Sequence, residues 1–208
     1  NLWLSIYFNI RNNKPAKGVI TLKIAITVGH SRLKNGCYTS ADGTKYGGCN
    51  EYIWCKMYSK QLENALIQNG HKVDVIICPE KKFTSSSEEK PYKLNIINSG
   101  NYNLVIELHL NSSLQTANGT EVLYKSDSAK KYATEVQKQL STVFRDRGIK
   151  NRTDLYILNG SKAPAILIET FFCTNKNDYM KAKGIKNRRK IAQLTANGIQ
   201  KALTNNTA

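Results

Sequence analysis

Six short apolar runs, separated by longer stretches with helical spacing, limit what this chain can fold into. The first, Lys23-Ile24-Ala25-Ile26-Thr27-Val28, is β-branched and closed by Gly29, which reads as a buried strand. Lys72 to Ile77, Leu104 to Leu110, Thr120 to Tyr124, Leu155 to Leu158 and Ala165 to Ile168 read the same way. Asn50 is a good N-cap for a helix through Trp54, Leu62, Leu66 and Ile67, ended by Asn69-Gly70. Further helices are expected over residues 91–98, from about Ser128 to Arg147, and from roughly Asn187 to Leu203. The polar, serine-rich segment Phe83 to Glu89 reads as a loop. This alternation predicts a single α/β domain, a mainly parallel twisted sheet of about six strands flanked by helices. A length of 208 residues with 40% hydrophobic content suffices for one core and excludes a disordered tail.

Residues 1–21 do not fit that pattern. The apolar run Leu2 to Ile10 precedes Arg11, Lys14 and Lys17, the reverse of a signal peptide, and is too short to span a membrane. Lys17-Gly18-Val19 can be encoded by a purine-rich ribosome-binding sequence, and Leu22 by an alternative start codon. The expectation is a translated leader over 1–21 and a domain over 22–205. No recognisable export signal follows, so synthesis in the cytoplasm and action after release are expected, without membrane insertion. The five cysteines, with no CxxC spacing, read as reduced thiols. A formal net charge of +16 points to a polyanionic partner. The basic stretch from Lys181 to Lys190 has the pattern of a solvated face, so no nucleic acid is expected.

Open α/β sheets place their sites outside the carboxyl ends of strands. Strand one ends in Val28-Gly29-His30, strand three carries His109 with Asn111 beyond it, and the last strand ends in Ile168-Glu169. The first long helix begins at Asn50-Glu51. Two histidines and a carboxylate that converge make a zinc site with an open position for water, and a further carboxylate can act as general base. Each residue also has a plain structural reading. His30 suits a loop, His109 a hydrogen-bonded core position, Glu51 the positive end of a helix dipole, and Glu107 and Glu169 solvent-facing strand ends. His71, in Asn69-Gly70-His71, reads as a turn residue. There is no nucleophile elbow, P-loop or dinucleotide fingerprint, and Cys173 reads as a packed thiol.

Four ordered motifs give a resemblance covering about Lys23 to the C-terminal helix. Gly29-His30 follows a strand, Asn50-Glu51 opens a helix, and His109-Leu110-Asn111 ends a strand. Pro164-Ala165-Ile166-Leu167-Ile168-Glu169 then leads to Phe172-Cys173-Thr174-Asn175. Together they resemble the zinc-dependent N-acetylmuramoyl-L-alanine amidases of the amidase-3 type, above all clostridial phage endolysin catalytic domains. The resemblance implies one Zn2+ per chain held by His30, Glu51 and His109, with Glu169 as catalytic carboxylate. It implies peptidoglycan as substrate and hydrolysis of the lactyl–alanine amide, with anionic wall polymers such as teichoic acid as a further partner for the positive charge. Thr27-Val28-Gly29-His30-Ser31 departs from the family's usual start, and Glu107 stands where a serine is common. Glu107 and His109 share a strand face, so Glu107 is expected to hold that ligand or to bond a nearby backbone group. Asn111 is placed beside the site or its substrate. The rival readings are a zinc endopeptidase cutting the stem peptide and a non-catalytic wall-binding protein.

Overall fold

The computed structural model describes residues 20–205. The expected leader therefore lies outside the described residues, apart from its last two positions. In chain order the elements are β1 (Lys23–Val28), α1 (Glu51–Gln68), β2 (Lys72–Ile76), α2 (Ser86–Ser99), β3 (Leu104–Asn111) and β4 (Thr120–Tyr124). There follow α3 (Asp127–Leu140), β5 (Asp146–Asn151), α4 (Tyr156–Gly160), β6 (Ala165–Phe172), α5 (Lys176–Ala182) and α6 (Gly184–Thr204). The strands form one six-stranded sheet in the order β2-β1-β3-β6-β4-β5. All neighbouring pairs are parallel except β4 and β6. The expected α/β domain with a mainly parallel sheet is the observed fold.

Strand alternation divides the core. Ile24, Ile26, Val28, Leu104, Ile106, Leu108, Ile166 and Ile168 pack with Trp54, Tyr58 and Leu62 of α1, Val136 of α3 and Ile199 of α6. The opposite sheet face contributes Ala25, Val105, Ala165 and Leu167 to a smaller cluster with Ile97 of α2 and Ile157 of α4. Toward the carboxyl ends of the strands, that second face continues as Thr27, Glu107, His109 and Glu169. The site thus begins where the smaller core stops.

Five elements differ from the sequence reading. Helix α2 starts at Ser86, inside the expected loop, with Ser85 as an extended N-cap and Pro91 already within the helix. The helix expected to reach Arg147 stops at Leu140; the buried Phe144 prolongs the apolar spacing after the helix has ended, which is why the sequence suggests a longer one. Residues 146–151 instead form β5, a polar edge strand in which Gly148 has φ +78°. The run expected as a strand over 155–158 is helical from Tyr156 on: Ile157 and Leu158 fill the smaller core from α4, packed on the face of β6 rather than paired with a strand. Helix α5 was not foreseen, although Asn175 accepts a hydrogen bond from the Asp178 N–H as a side-chain cap. His71 follows the Gly70 turn but is buried, its Nδ1 accepting the Leu22 N–H at 3.3 Å. All five cysteines are free, with only Cys37 exposed. Among the described residues no helix is long and apolar enough to cross a membrane.

Helices α3 and α6 meet at Gly198. A Cβ there would lie 2.7 Å from Val136 Cα and 2.9 Å from Glu135 O, both rigid backbone. Alanine gains about 1 kcal/mol over glycine in a helix interior, but overpacking typically costs about 1–3 kcal/mol. Gly198→Ala is expected to lower the urea midpoint, and an unchanged or raised midpoint would show that the helices can move apart freely.

Candidate metal centre

Three elements deliver one side chain each. Glu51 is the first residue of α1, fixed by the Asn50 side chain, which accepts the Ile53 N–H. His109 projects from β3, and His30 stands two residues past the end of β1's Val28. His30 adopts φ +65°, uncommon for a residue with a Cβ and a form of backbone strain found at functional sites. The strained turn is held by Gly29 N–H donating to Leu108 O, by Ser31 N–H donating to Thr39 Oγ1, and by Ser31 Oγ donating to the buried Glu89.

The three side chains converge. Glu51 Oε2 lies 3.2 Å from His30 Nε2, and Glu51 Oε1 lies 2.9 Å from His109 Nδ1. The imidazoles face each other edge-on, with centroids 4.8 Å apart. One ligand atom from each residue falls within 4.8 Å of the others. Glu51 also accepts the Ala41 and Leu110 N–H groups. Burial pushes its pKa up, yet the two histidines outweigh burial and hold it well below the ordinary carboxylate range. Two imidazole nitrogens and a carboxylate oxygen form a donor set that suits zinc.

Below this cluster, Glu107 is fully buried and accepts four donors. These are His109 Nε2 at 3.0 Å, Thr27 Oγ1 at 3.0 Å, Tyr156 OH at 3.0 Å and Lys93 Nζ at 3.4 Å. Burial raises its pKa, but the Lys93 charge and then the His109 contact bring it down to about 2. His109 therefore has a carboxylate on each ring nitrogen. Burial opposes protonation of the ring, but the two carboxylates raise its pKa to about 10, so the pocket favours a positive charge at this point. Orientation of a ligating histidine through its other nitrogen is a recurrent feature of metal sites.

Glu169 is the register partner of His109 on β6, so both project from the same sheet face. Its Oε2 is buried without a hydrogen-bond partner. Burial is the main cause of a pKa raised to about 7; His109 opposes the shift, and Glu51, Glu121 and Glu107 reinforce it. Asn111 bonds to neither histidine but to the register partner of Glu169 on β4. Its amide donates to Glu121, which also binds Arg147 and Lys150 of β5 at 2.7 Å each. The support from Lys93, Thr27 and Tyr156 was not foreseen. A helical lysine carries no sign that it is buried, and Tyr156 stood in a run read as strand.

A parallel α/β domain with a His-Glu-His cluster at the carboxyl ends of β1 and β3 defines a candidate metallohydrolase. The chain belongs to the Amidase_3 family, described as N-acetylmuramoyl-L-alanine amidase, whose profile matches residues 24–201. It is similar to the catalytic domain of the CD27L endolysin targeting Clostridia Difficile, with 52% identity and a TM-score of 0.81. That similarity covers 86% of this chain and 96% of the other. Among curated proteins, Bacillus subtilis YqiI, an uncharacterized protein, is 35% identical over 46% of this chain and 49% of its own length. The N-acetylmuramoyl-L-alanine amidase LytC of the same organism is 31% identical over 51% of this chain and 23% of its own length. The chain thus spans about half or less of these curated relatives.

Gly29 leaves room for the His109 ring. A Cβ at position 29 would sit 2.3 Å from His109 Cε1 and Nε2. Gly29→Ala is expected to displace the imidazole and to weaken binding of added Zn2+, the ion this donor set suits, by about 10–100-fold, the usual range for disturbed ligand support. Competition with a chromophoric chelator measures it, and wild-type affinity would show that the ring has slack.

Proposed function

We propose that this protein hydrolyses the amide between the lactyl group of N-acetylmuramic acid and L-alanine in peptidoglycan, using one zinc ion held by His30, Glu51 and His109. The observation that carries the reading is the convergence of both imidazoles on the two oxygens of Glu51, beside a half-buried Glu169 whose Oε2 is enclosed and unpartnered. Family membership supplies the substrate class. When bound, zinc supplies a Lewis acid that polarises the scissile carbonyl and brings the pKa of an attacking water to about 7.

The chain's own residues do the rest. Glu169, with a pKa near that of neutral solution, takes a proton from the attacking water. The same carboxyl then returns it to the departing alanine nitrogen. Glu107 keeps His109 turned so that Nδ1 faces Glu51. The left-handed backbone at His30 aims its side chain back toward β3, where the ring stands edge-on to His109.

Glu169→Gln keeps the shape of the side chain and removes the proton acceptor. Turnover is expected to fall about 10²–10⁴-fold while bound zinc stays at one per chain; substantial residual activity would refute the role. His109→Ala should lose the zinc. Because the ionised form of Glu169 is the working one, kcat/KM falls as pH drops through its pKa, and a neighbouring cation moves that limb below 7.

Digestion of purified clostridial peptidoglycan is expected to expose N-terminal alanine, and a zinc chelator should abolish it. New amines on other stem residues would make the protein an endopeptidase, and none at all a wall-binding protein. The charge of +16 favours retention near phosphate-bearing wall polymers such as teichoic acid. Activity on whole walls should then decline as salt shortens the reach of that attraction, and a flat salt profile would remove the electrostatic contribution.

A further inference from the structure

Lys93 directs its charge at the two strands that carry the histidines. It enters from α2 and its side chain is only 1% exposed. Its ammonium donates to Val28 O at 3.2 Å and lies 3.4 Å from Glu107 Oε1. Val28 stands two residues before His30, and Glu107 two residues before His109. One cation therefore joins β1 and β3 at equivalent points below the two imidazoles. Tyr156 of α4 closes the arrangement, its hydroxyl on Glu107 and its ring 5.3 Å from the ammonium.

Packing does not require such a residue. Lysine is almost never fully buried unless paired, and a buried ion pair is often no more stable than apolar side chains of equal volume. An apolar residue at 93 could fill the same space between α2 and the sheet, but it could not hold a carbonyl and a carboxylate together. We infer that Lys93 is a positioning residue, which grips the Val28 carbonyl and the Glu107 carboxylate at once and thereby sets the mutual placement of His30 and His109. It touches neither substrate nor metal and acts only through those two groups. The inference rests on the reading that the histidines and Glu51 hold zinc.

The test uses Zn2+ alone, titrated against a competing chelator into the wild-type chain, Lys93→Met, Glu107→Gln and the double variant. Lys93→Met is expected to weaken zinc binding by about tenfold or more. The double variant should bind more weakly than Glu107→Gln, since the grip on Val28 is gone, but by a smaller factor, since the share carried by Glu107 is already lost. That pair also serves if Lys93→Met alone fails to fold, because it leaves no buried carboxylate without a partner. Zinc affinity equal to that of the Lys93-containing parent, with only the melting temperature lowered, would make Lys93 merely structural and overturn the inference. Ring resonances of the metal-free protein keep the two readings separable. If the wild-type chain bound no zinc, the metal reading would fail, while Lys93→Met should still shift both His30 and His109 and leave His71 in place. Unmoved rings would overturn the role of Lys93.

Discussion

A carboxylate removed from water must find counter-charge and hydrogen-bond donors, and this domain buries Glu51 and Glu107, and one oxygen of Glu169, at one end of a single sheet. The three are compensated unequally. Glu51 has both histidines and two backbone N–H groups, and Glu107 has a lysine, a tyrosine, a threonine and one histidine. Glu169 has an oxygen with no partner at all. That inequality sorts the group by chemistry. The first two stay ionised and hold other groups in place, while the third keeps a raised affinity for protons.

The rest of the fold supplies the compensation. Parallel pairing of β1, β3 and β6 brings three carboxyl ends into line, so that residues far apart in the chain become register neighbours. Thr27 pairs with Glu107, and His109 with Glu169. Helices α2 and α4, which cover that face, contribute Lys93 and Tyr156 from the same surfaces that bury Ile97 and Ile157. Apolar packing and the polar network are consecutive stretches of one interface. Gly29 shows how tight the fit is, since even a methyl group there would meet the His109 ring.

Five of the six strands, and the three residues that converge as His30, Glu51 and His109, were legible because each left a local mark. Branched runs ended in glycine or in a histidine, and Asn50 announced a helix whose first residue is Glu51. What escaped was set by tertiary contact. Phe144 continues a helical spacing four residues beyond the helix because the core needs an aromatic ring there, stacked on Phe171. The Tyr156-Ile157-Leu158 run is too short for periodicity to separate strand from helix, and only the cluster it fills decides. Lys93 is the clearest case. Nothing in its neighbours distinguishes it from a solvated lysine, and its role exists only once Val28 and Glu107 are brought beneath it. Helix α5, by contrast, carried a readable cap in Asn175 and Asp178.

The two margins of the sheet have a consequence for crowding. Strand β2 ends one side with Lys72 and Asp74, and β5 ends the other with Asp146, Arg147 and Lys150. Unpaired strand margins invite addition of foreign strands, and alternating charge along them discourages it. Charged outer strands let copies of the chain lie side by side without zipping into aggregates, so the fold tolerates high local concentration without loss of folded molecules.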